Sequence, residues 1–473
     1  MPLDIAVIVI YMAVINVIGI LCARVTSVND YFLGNRTIPW PVACFSIVAT
    51  ETSSLTFISI PGLAYISNMG FLQVAMGYMV GRILVAFIML PRYFAGNLET
   101  AYQFIQNRFG LSARRVIAVI FHVTRLLADG IRLFATAIPL SLLMGFDSYW
   151  PAIVIIGLTT FAYTLYGGIR SVAITDSIQL GVYLASAVAG IFIISYLLDM
   201  PLFEVYHKIP DASLTLFSTG AAGGWRGVFE SYNIFSGIIG GAVLSFASHG
   251  TDHLIVQRVL SCRDLASARK AMIWSGIIVF FQFGLFMIWG LFIYVLLGGK
   301  KFDLPDMIMP YFIISKLPPG VKGLMLAGIF AAAMSTISAS INSISSSTVM
   351  DILQLSRRDV SDRNKLRISR AISFGWSCVL IGVASLFTDT KNPLVELGLS
   401  IASITYGGML GIFIQGIVFE KFSDRAALGG VMISISAVLF ISLACNVFWP
   451  WFVPIGFVIS FLTGSILNLI MKK

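Results

Sequence analysis

The feature that most constrains this chain is the spacing of its apolar runs: about 13 of them are long enough to cross a bilayer. They lie near residues 3–22, 38–66, 70–91, 116–144, 149–166, 172–198, 231–252, 271–298, 323–349, 368–387, 393–419, 427–447 and 449–470. A spanning helix needs about 20 apolar residues, and in lipid each backbone amide must find its partner within the segment. The fold class is therefore an all-α polytopic membrane protein with about 13 transmembrane helices. Only 11% of the 473 residues are charged, against about 25% in an ordinary soluble domain. A soluble enzyme, a nucleic-acid binder and a single-anchor receptor are excluded. The first run opens Met-Pro-Leu-Asp with no basic stretch before it, so it reads as a mature helix rather than a signal peptide. Five scattered Cys suggest neither a disulfide framework nor a zinc site.

The net charge of +9 is placed, not spread. If every run crosses, roughly 21 Lys and Arg share one side, from Arg24 and Arg36 through the Arg357–Arg370 loop to Lys472 and Lys473. Roughly seven, including Lys208, Arg226 and Lys391, fall on the other. The positive-inside rule puts the richer side in the cytoplasm. The N-terminus is then outside and the C-terminus cytoplasmic, in a multi-pass protein of the cell (inner or plasma) membrane whose surroundings are the lipid bilayer.

Polar interruptions locate the interior, because a lipid-facing helix has no use for them. The second run carries Glu51 among Ser46, Thr50, Thr52, Ser53, Ser54 and Thr56, followed by Pro61-Gly62, and is expected to unwind. The seventh carries Gly240-Gly241, Ser245, Ser248, His249 and Asp252. Two such runs five spans apart are the pattern of a five-plus-five inverted repeat with its ligand site at the breaks. That divides the chain into a peripheral first helix and loop (1–37), a first repeat (38–198), an extracellular loop (199–230), a second repeat (231–420) and two peripheral helices (421–473). In the ninth run Ser335, Ser338 and Asn342 share one helical face. Such uncharged oxygens suit a weakly held alkali cation, or else a serine seam that only joins helices. In the eleventh run Ser403, Thr405, Tyr406 and Gly407 suggest a local distortion. In the fourth, Arg125, Asp129 and Arg132 are spaced so that Asp129 can pair with either arginine. The other arginine binds a solute carboxylate or neutralises Glu51, with the second reading slightly ahead. Arg82 reads as structural, and Asp176 as a cap or a partner of Arg170.

Several stretches then match a known family: Asp30-Tyr-Phe-Leu-Gly-Asn-Arg36, Tyr102 to Gly110, Tyr166-Gly-Gly-Ile-Arg170 leading to Thr175-Asp176, Gly250-Thr-Asp252 leading to Gln257-Arg258, and Ala332-Ala-Met-Ser-Thr336 followed by Asp351. In that order they resemble the sodium:solute symporter family. The resemblance implies a LeuT-type fold. It also implies a Na+ site made by the carbonyls of Ala49, Thr52 and Ala332 with the hydroxyls of Ser335 and Thr336. A second sodium would use Asp176 and Ser338, but Ala339 stands where the family has a serine. By position the solute pocket would be lined by Glu51, Ser53, Ser54, Thr56, Phe71, Gln73, Ser245, Ser248 and His249, with Arg125 or Arg132.

The expected activity is sodium-coupled import of a small polar organic solute by alternating access, with a sugar or a sugar acid such as sialic acid favoured. The partners are that small-molecule solute and the sodium ion, with no nucleic acid and no obligate protein partner. Proton coupling through Glu51 or Asp176, or a solute sensor on the same fold, are the alternatives. No nucleophile stands with a base or metal ligands at catalytic spacing, so an enzyme is not expected.

Overall fold

The computed structural model describes residues 2–22, 25–220, 224–230, 232–355, 358–388 and 393–471. Arg24, Arg357, Lys391, Lys472, Lys473 and the side chain of Arg226, on which part of the charge count rests, lie outside the described residues. The principal helices are α1 (Pro2–Leu21), α2 (Trp40–Glu51), α3 (Ser54–Ile66), α4 (Met69–Ala95), α5 (Ala101–Met144), α6 (Trp150–Leu198), α7 (Gly241–Gly250) and α8 (His253–Leu260). They continue as α9 (Leu265–Leu296), α10 (Val321–Ile352), α11 (Asp362–Ala384), α12 (Leu394–Val418), α13 (Asp424–Ala444) and α14 (Trp449–Met471).

Among the described residues ten helices are long and apolar enough to cross a membrane, and eleven if α2 and α3, bent by 63°, form one span. Two observations account for the distance from the thirteen expected. Helix α6 has 49 residues, roughly 70 Å at 1.5 Å per residue, over twice a hydrocarbon core. It breaks at Gly168, whose φ of 56° and ψ of −162° are non-helical. Helix α7, entered through a π-helical turn at Phe235–Gly240, ends at Gly250 and is short for a span.

The breaks have local causes. Helix α2 ends at Glu51, and Thr52 and Ser53 take extended ψ values of 92° and 175°. This is the densest hydroxyl run in the segment, where side chains compete for backbone groups. Pro61 and Gly62, expected to share in the unwinding, stay inside α3. Gly62 serves close packing instead, since a Cβ there would stand 2.4 Å from the Pro305 carbonyl oxygen. Gly240 and Gly241 do not interrupt the seventh segment either; the chain breaks at Thr251–Asp252, where the Asp252 carboxylate caps α8 by accepting from Leu254 N at 2.9 Å. Helix α12 runs unbroken through Ser403, Tyr406 and Gly407, so the distortion expected there is absent.

Burial sorts the helices. The most apolar window of α10 is 94% buried, whereas those of α1, α11 and α14 are each 28% buried. Helix α10 is thus the axis of the bundle. Its Ser and Asn side chains, Ser335, Ser338 and Asn342 among them, are all buried in protein.

Candidate functional site

Helix α2 ends in mid-bundle, so its last carbonyls have no amide one turn ahead and carry the negative end of the helix dipole. Helix α10 meets them with hydroxyls. Ser335 Oγ donates to the Ala49 carbonyl at 2.8 Å and lies 3.0 Å from the Ala332 carbonyl; Thr336 Oγ1 lies 3.0 Å from the Thr50 carbonyl and 3.2 Å from that of Ala332. Five uncharged oxygens from two helices converge, and all five residues that supply them are buried. Uncharged oxygens at an unwound helix end are the chemistry a monovalent cation takes. Thr50 was not singled out from sequence. Thr52 was, through its carbonyl; its hydroxyl accepts from Gln282 Nε2 on α9.

The two residues expected to hold a second sodium each have other hydrogen-bond partners. Asp176 Oδ2 on α6 lies 3.1 Å from Arg258 Nη2 on α8, and accepts from Ser46 Oγ at 2.5 Å and from Thr50 Oγ1 at 3.4 Å. Ser338 Oγ donates to the Ser335 carbonyl at 3.1 Å. The partner of Asp176 is Arg258 and not Arg170, and a guanidinium already balances its charge.

Beside the cage lies a cavity of about 780 Å³, open water included, of solute size. Of the side chains expected to line it, Glu51, Ser53, Thr56, Phe71, Ser248, His249, Arg125 and Arg132 do so. Three do not. Ser54 Oγ donates to the Arg132 carbonyl at 3.1 Å, Gln73 Nε2 to the Gly70 carbonyl at 3.2 Å and Ser245 Oγ to the Tyr78 carbonyl at 3.0 Å. Ser54 and Ser245 spend their hydroxyls on joining helices, whereas Gln73 bonds within its own helix. The wall also includes Val395, Leu399, Ala402 and Tyr406 of α12, besides Tyr78 and Phe283. The α12 set recurs at helical spacing, a face visible in the sequence once that helix is taken as continuous.

The charges pair differently from the expectation. Glu51 is held by Arg82 of α4, with His249 Nε2 of α7 at 3.6 Å. Arg82 is fully buried, and its Nη1 donates to Ser275 Oγ at 2.7 Å. Neither Arg125 nor Arg132 neutralises Glu51. Arg125 Nε donates to Asp252 Oδ2 at 2.8 Å, and the Tyr406 hydroxyl donates to the same oxygen at 2.7 Å. Arg132 pairs with Asp129, which also accepts from Ser340, and Arg132 Nε has no hydrogen bond. Sequence separation hid these pairs: 31 residues divide Arg82 from Glu51 and 127 divide Arg125 from Asp252.

Arg82 reaches Glu51 because α4 and α7 touch backbone to backbone. A Cβ on Gly81 would stand 2.3 Å from the Ala242 carbonyl oxygen, and backbone cannot yield as a side-chain tip can. Gly81→Ala is expected to separate the two helices and lower the thermal denaturation temperature of the purified protein, as small-to-large changes in tight packing do at a cost of about 1–3 kcal/mol.

A bundle of apolar helices, broken beside a solute-sized cavity in its interior, is the architecture of a secondary transporter. A family model, "Sodium:solute symporter family", matches residues 31–434. The chain belongs to the sodium:solute symporter family. It is a multi-pass sodium-coupled solute symporter and not an enzyme. Relatives include the sodium/sialic acid symporter NanT of Aliivibrio fischeri, 30% identical over 96% of this chain and 90% of that one. The sodium/sialic acid symporter SiaT of Proteus mirabilis is 28% identical over 91% and 87%. Human sodium-coupled monocarboxylate transporter 1 is 25% identical over 89% and 69%. Among solved structures, a substrate-bound, outward-open sodium-coupled sialic acid symporter matches with a TM-score of 0.88 and 26% identity, covering 99% of this chain and 98% of that one. A nucleobase-cation-symport-1 family transporter matches with a TM-score of 0.58 at 14% identity over 93% and 94%, a likeness of fold alone.

Proposed function

We propose that this symporter imports a small organic anion, a sugar acid of the sialic acid type being favoured over a neutral sugar. One observation carries the reading: the cage formed by the Ala49, Thr50 and Ala332 carbonyls with Ser335 and Thr336 adjoins a cavity with two arginines in its wall. Sodium in the cage ties α10 to the end of α2. That favours the arrangement in which the broken helices complete the cavity, so ion and solute stabilise the same conformation. Loss of sodium to the cytoplasm frees α10, and the solute leaves. Arg132 lines the cavity, and a carboxylate matches a guanidinium in charge and shape. The relatives named for sialic acid and for monocarboxylates carry carboxylates. We place the N-terminus outside, count thirteen crossings by dividing α6 at Gly168 and taking α7 with its π-helical turn as a span, and assign the repeats to residues 38–198 and 231–420. The proton alternative is disfavoured because Glu51 and Asp176, its two candidate carriers, are each already paired with an arginine.

Uptake of radiolabelled N-acetylneuraminate, pyruvate and glucose into proteoliposomes, with sodium or potassium outside, tests the reading. Sodium-dependent uptake of an acid but not of glucose is expected; glucose uptake alone would contradict it. In the same assay Arg132→Gln is expected to raise the acid concentration for half-maximal uptake by about 30-fold or more, since truncating one side of a desolvated charge pair costs about 2–5 kcal/mol.

A further inference from the structure

We propose that Asp252, Arg125 and Tyr406 form a latch that closes the cytoplasmic floor of the solute cavity, so that Arg125 works on the release step and leaves the solute carboxylate to Arg132. This rests on the orientation and the anion import proposed above and adds the control of the cytoplasmic opening.

Depth along three helices places the latch. Helix α5 starts among Arg108, Arg114 and Arg115, so in that orientation Arg125 lies seven residues nearer the cytoplasm than Arg132, roughly 10 Å along the axis. Helix α12 descends toward Lys421 and Arg425, and of its lining residues Val395, Leu399, Ala402 and Tyr406 the tyrosine is the deepest. Helix α8 closes the same end with Leu254 and Ile255. Arg125 and Tyr406 face the cavity, whereas Asp252 is fully buried outside the lining, at the break before α8.

One carboxylate does two things. Its Oδ1 caps α8 by accepting from Leu254 N at 2.9 Å, and its Oδ2 accepts from Arg125 Nε at 2.8 Å and from the Tyr406 hydroxyl at 2.7 Å. Arg125 Nη2 donates to that oxygen as well, and to the Tyr406 hydroxyl. The start of α8 is therefore bound to α5 and α12 through one atom. Those two helices also hold each other one residue earlier on each, where the Thr124 and Thr405 hydroxyls meet at 2.8 Å, so α8 is the member that can leave. A further link from α8 to α5, His253 N to the Tyr102 hydroxyl, is long at 3.4 Å.

For solute to pass toward the cytoplasm, the start of α8 has to part from α5 and α12, and the bonds to Asp252 Oδ2 break together. In a dry core that separation would strand two charges. Here it opens the cavity, and water reaches both groups; Asp129 Oδ1, 3.8 Å from Arg125 Nη1, also stays beside the guanidinium. A polar latch is thus strong while dry and reversible once wet. In a coupled carrier it keeps the sodium-loaded, solute-free protein from opening inward and dissipating the ion gradient.

Entry of ²²Na+ into proteoliposomes without any solute tests the latch, and it is read whichever way the protein is inserted and whichever acid is carried. A failure here is thus distinct from a failure of the proposed substrate or orientation. Asp252→Asn keeps an oxygen to cap α8 and removes the charge that holds Arg125. It is expected to raise solute-free sodium entry about ten-fold or more, the equilibrium effect of losing a charge-assisted bond. Tyr406→Phe, which loses one hydroxyl, is expected to raise it by a smaller factor. Gly430→Ala is the control for instability alone: its Cβ would stand 2.6 Å from the Ser460 carbonyl oxygen, between the peripheral helices α13 and α14, and sodium entry is expected to stay at the wild-type rate. If Asp252→Asn does not elute as a single species of wild-type size, Tyr406→Phe carries the test. Sodium entry unchanged in the folded latch variants, or raised equally by Gly430→Ala, would show a mere fastener of helices and overturn the proposal.

Discussion

Ser335→Ala is expected to raise the sodium concentration for half-maximal uptake by roughly 10- to 100-fold while leaving the protein folded and in the membrane. The Ser335 hydroxyl meets the Ala49 and Ala332 carbonyls at once, so its loss takes one oxygen from the cage and loosens the tie between α2 and α10. A polar contact to a charged group is worth about 1.5–3 kcal/mol, and about 1.4 kcal/mol is ten-fold in affinity. Thr336→Val, which keeps the shape and removes the oxygen, is expected to act in the same direction. Ser338→Ala is the control: its hydroxyl donates to the Ser335 carbonyl and to none of the cage oxygens named above, and a shift below about three-fold is expected. Sodium titrations of initial uptake rate measure all three. An unchanged titration for Ser335→Ala would show that the ion binds elsewhere.

The second large effect is on stability. Arg82→Met leaves Glu51 with only the His249 imidazole, 3.6 Å away, and breaking one side of a buried ion pair costs about 3–5 kcal/mol. The single variant is expected to denature at markedly lower temperature and to accumulate poorly. Arg82→Met combined with Glu51→Gln removes both charges and is expected to recover most of the loss, because the cost lies in the unpaired charge rather than in the missing bond. A double-mutant cycle on thermal unfolding in detergent measures the coupling. Additive losses would mean that the two residues act independently.

The parts of this molecule legible in the sequence are those that depend on local periodicity. Spanning runs, the break beside Glu51 and the Ser335–Thr336 step all follow from which residues neighbour one another along the chain. Ion pairing is different. The Asp129–Arg132 pair, three residues apart, was within reach of helical spacing, whereas Arg82 could be given to Glu51 only once Gly77 and Gly81 had brought α4 against α7. The reading that an arginine of α5 neutralises Glu51 failed for that reason. Small residues were the other source of error. Gly240–Gly241 and Pro61–Gly62 looked like breaks, yet both pairs sit within helical backbone and admit a neighbouring chain, and the real breaks fell at Thr52–Ser53 and Thr251–Asp252. Hydroxyls misled in the same way: Ser54 and Ser245 look like pocket residues in sequence, but their bonds to carbonyls on other helices make them fasteners.

Sodium and solute are held to stabilise one conformation through the tie between α2 and α10, and linkage makes that effect reciprocal. The most direct measurement is therefore the dissociation constant of N-acetylneuraminate by calorimetry in sodium and in choline buffer, paired with that of ²²Na+ with and without the acid. Both constants should tighten by the same factor, about five-fold or more, and in Ser335→Ala the factor should fall toward one. An acid affinity identical in sodium and choline, or a coupling undiminished in Ser335→Ala, would contradict the account.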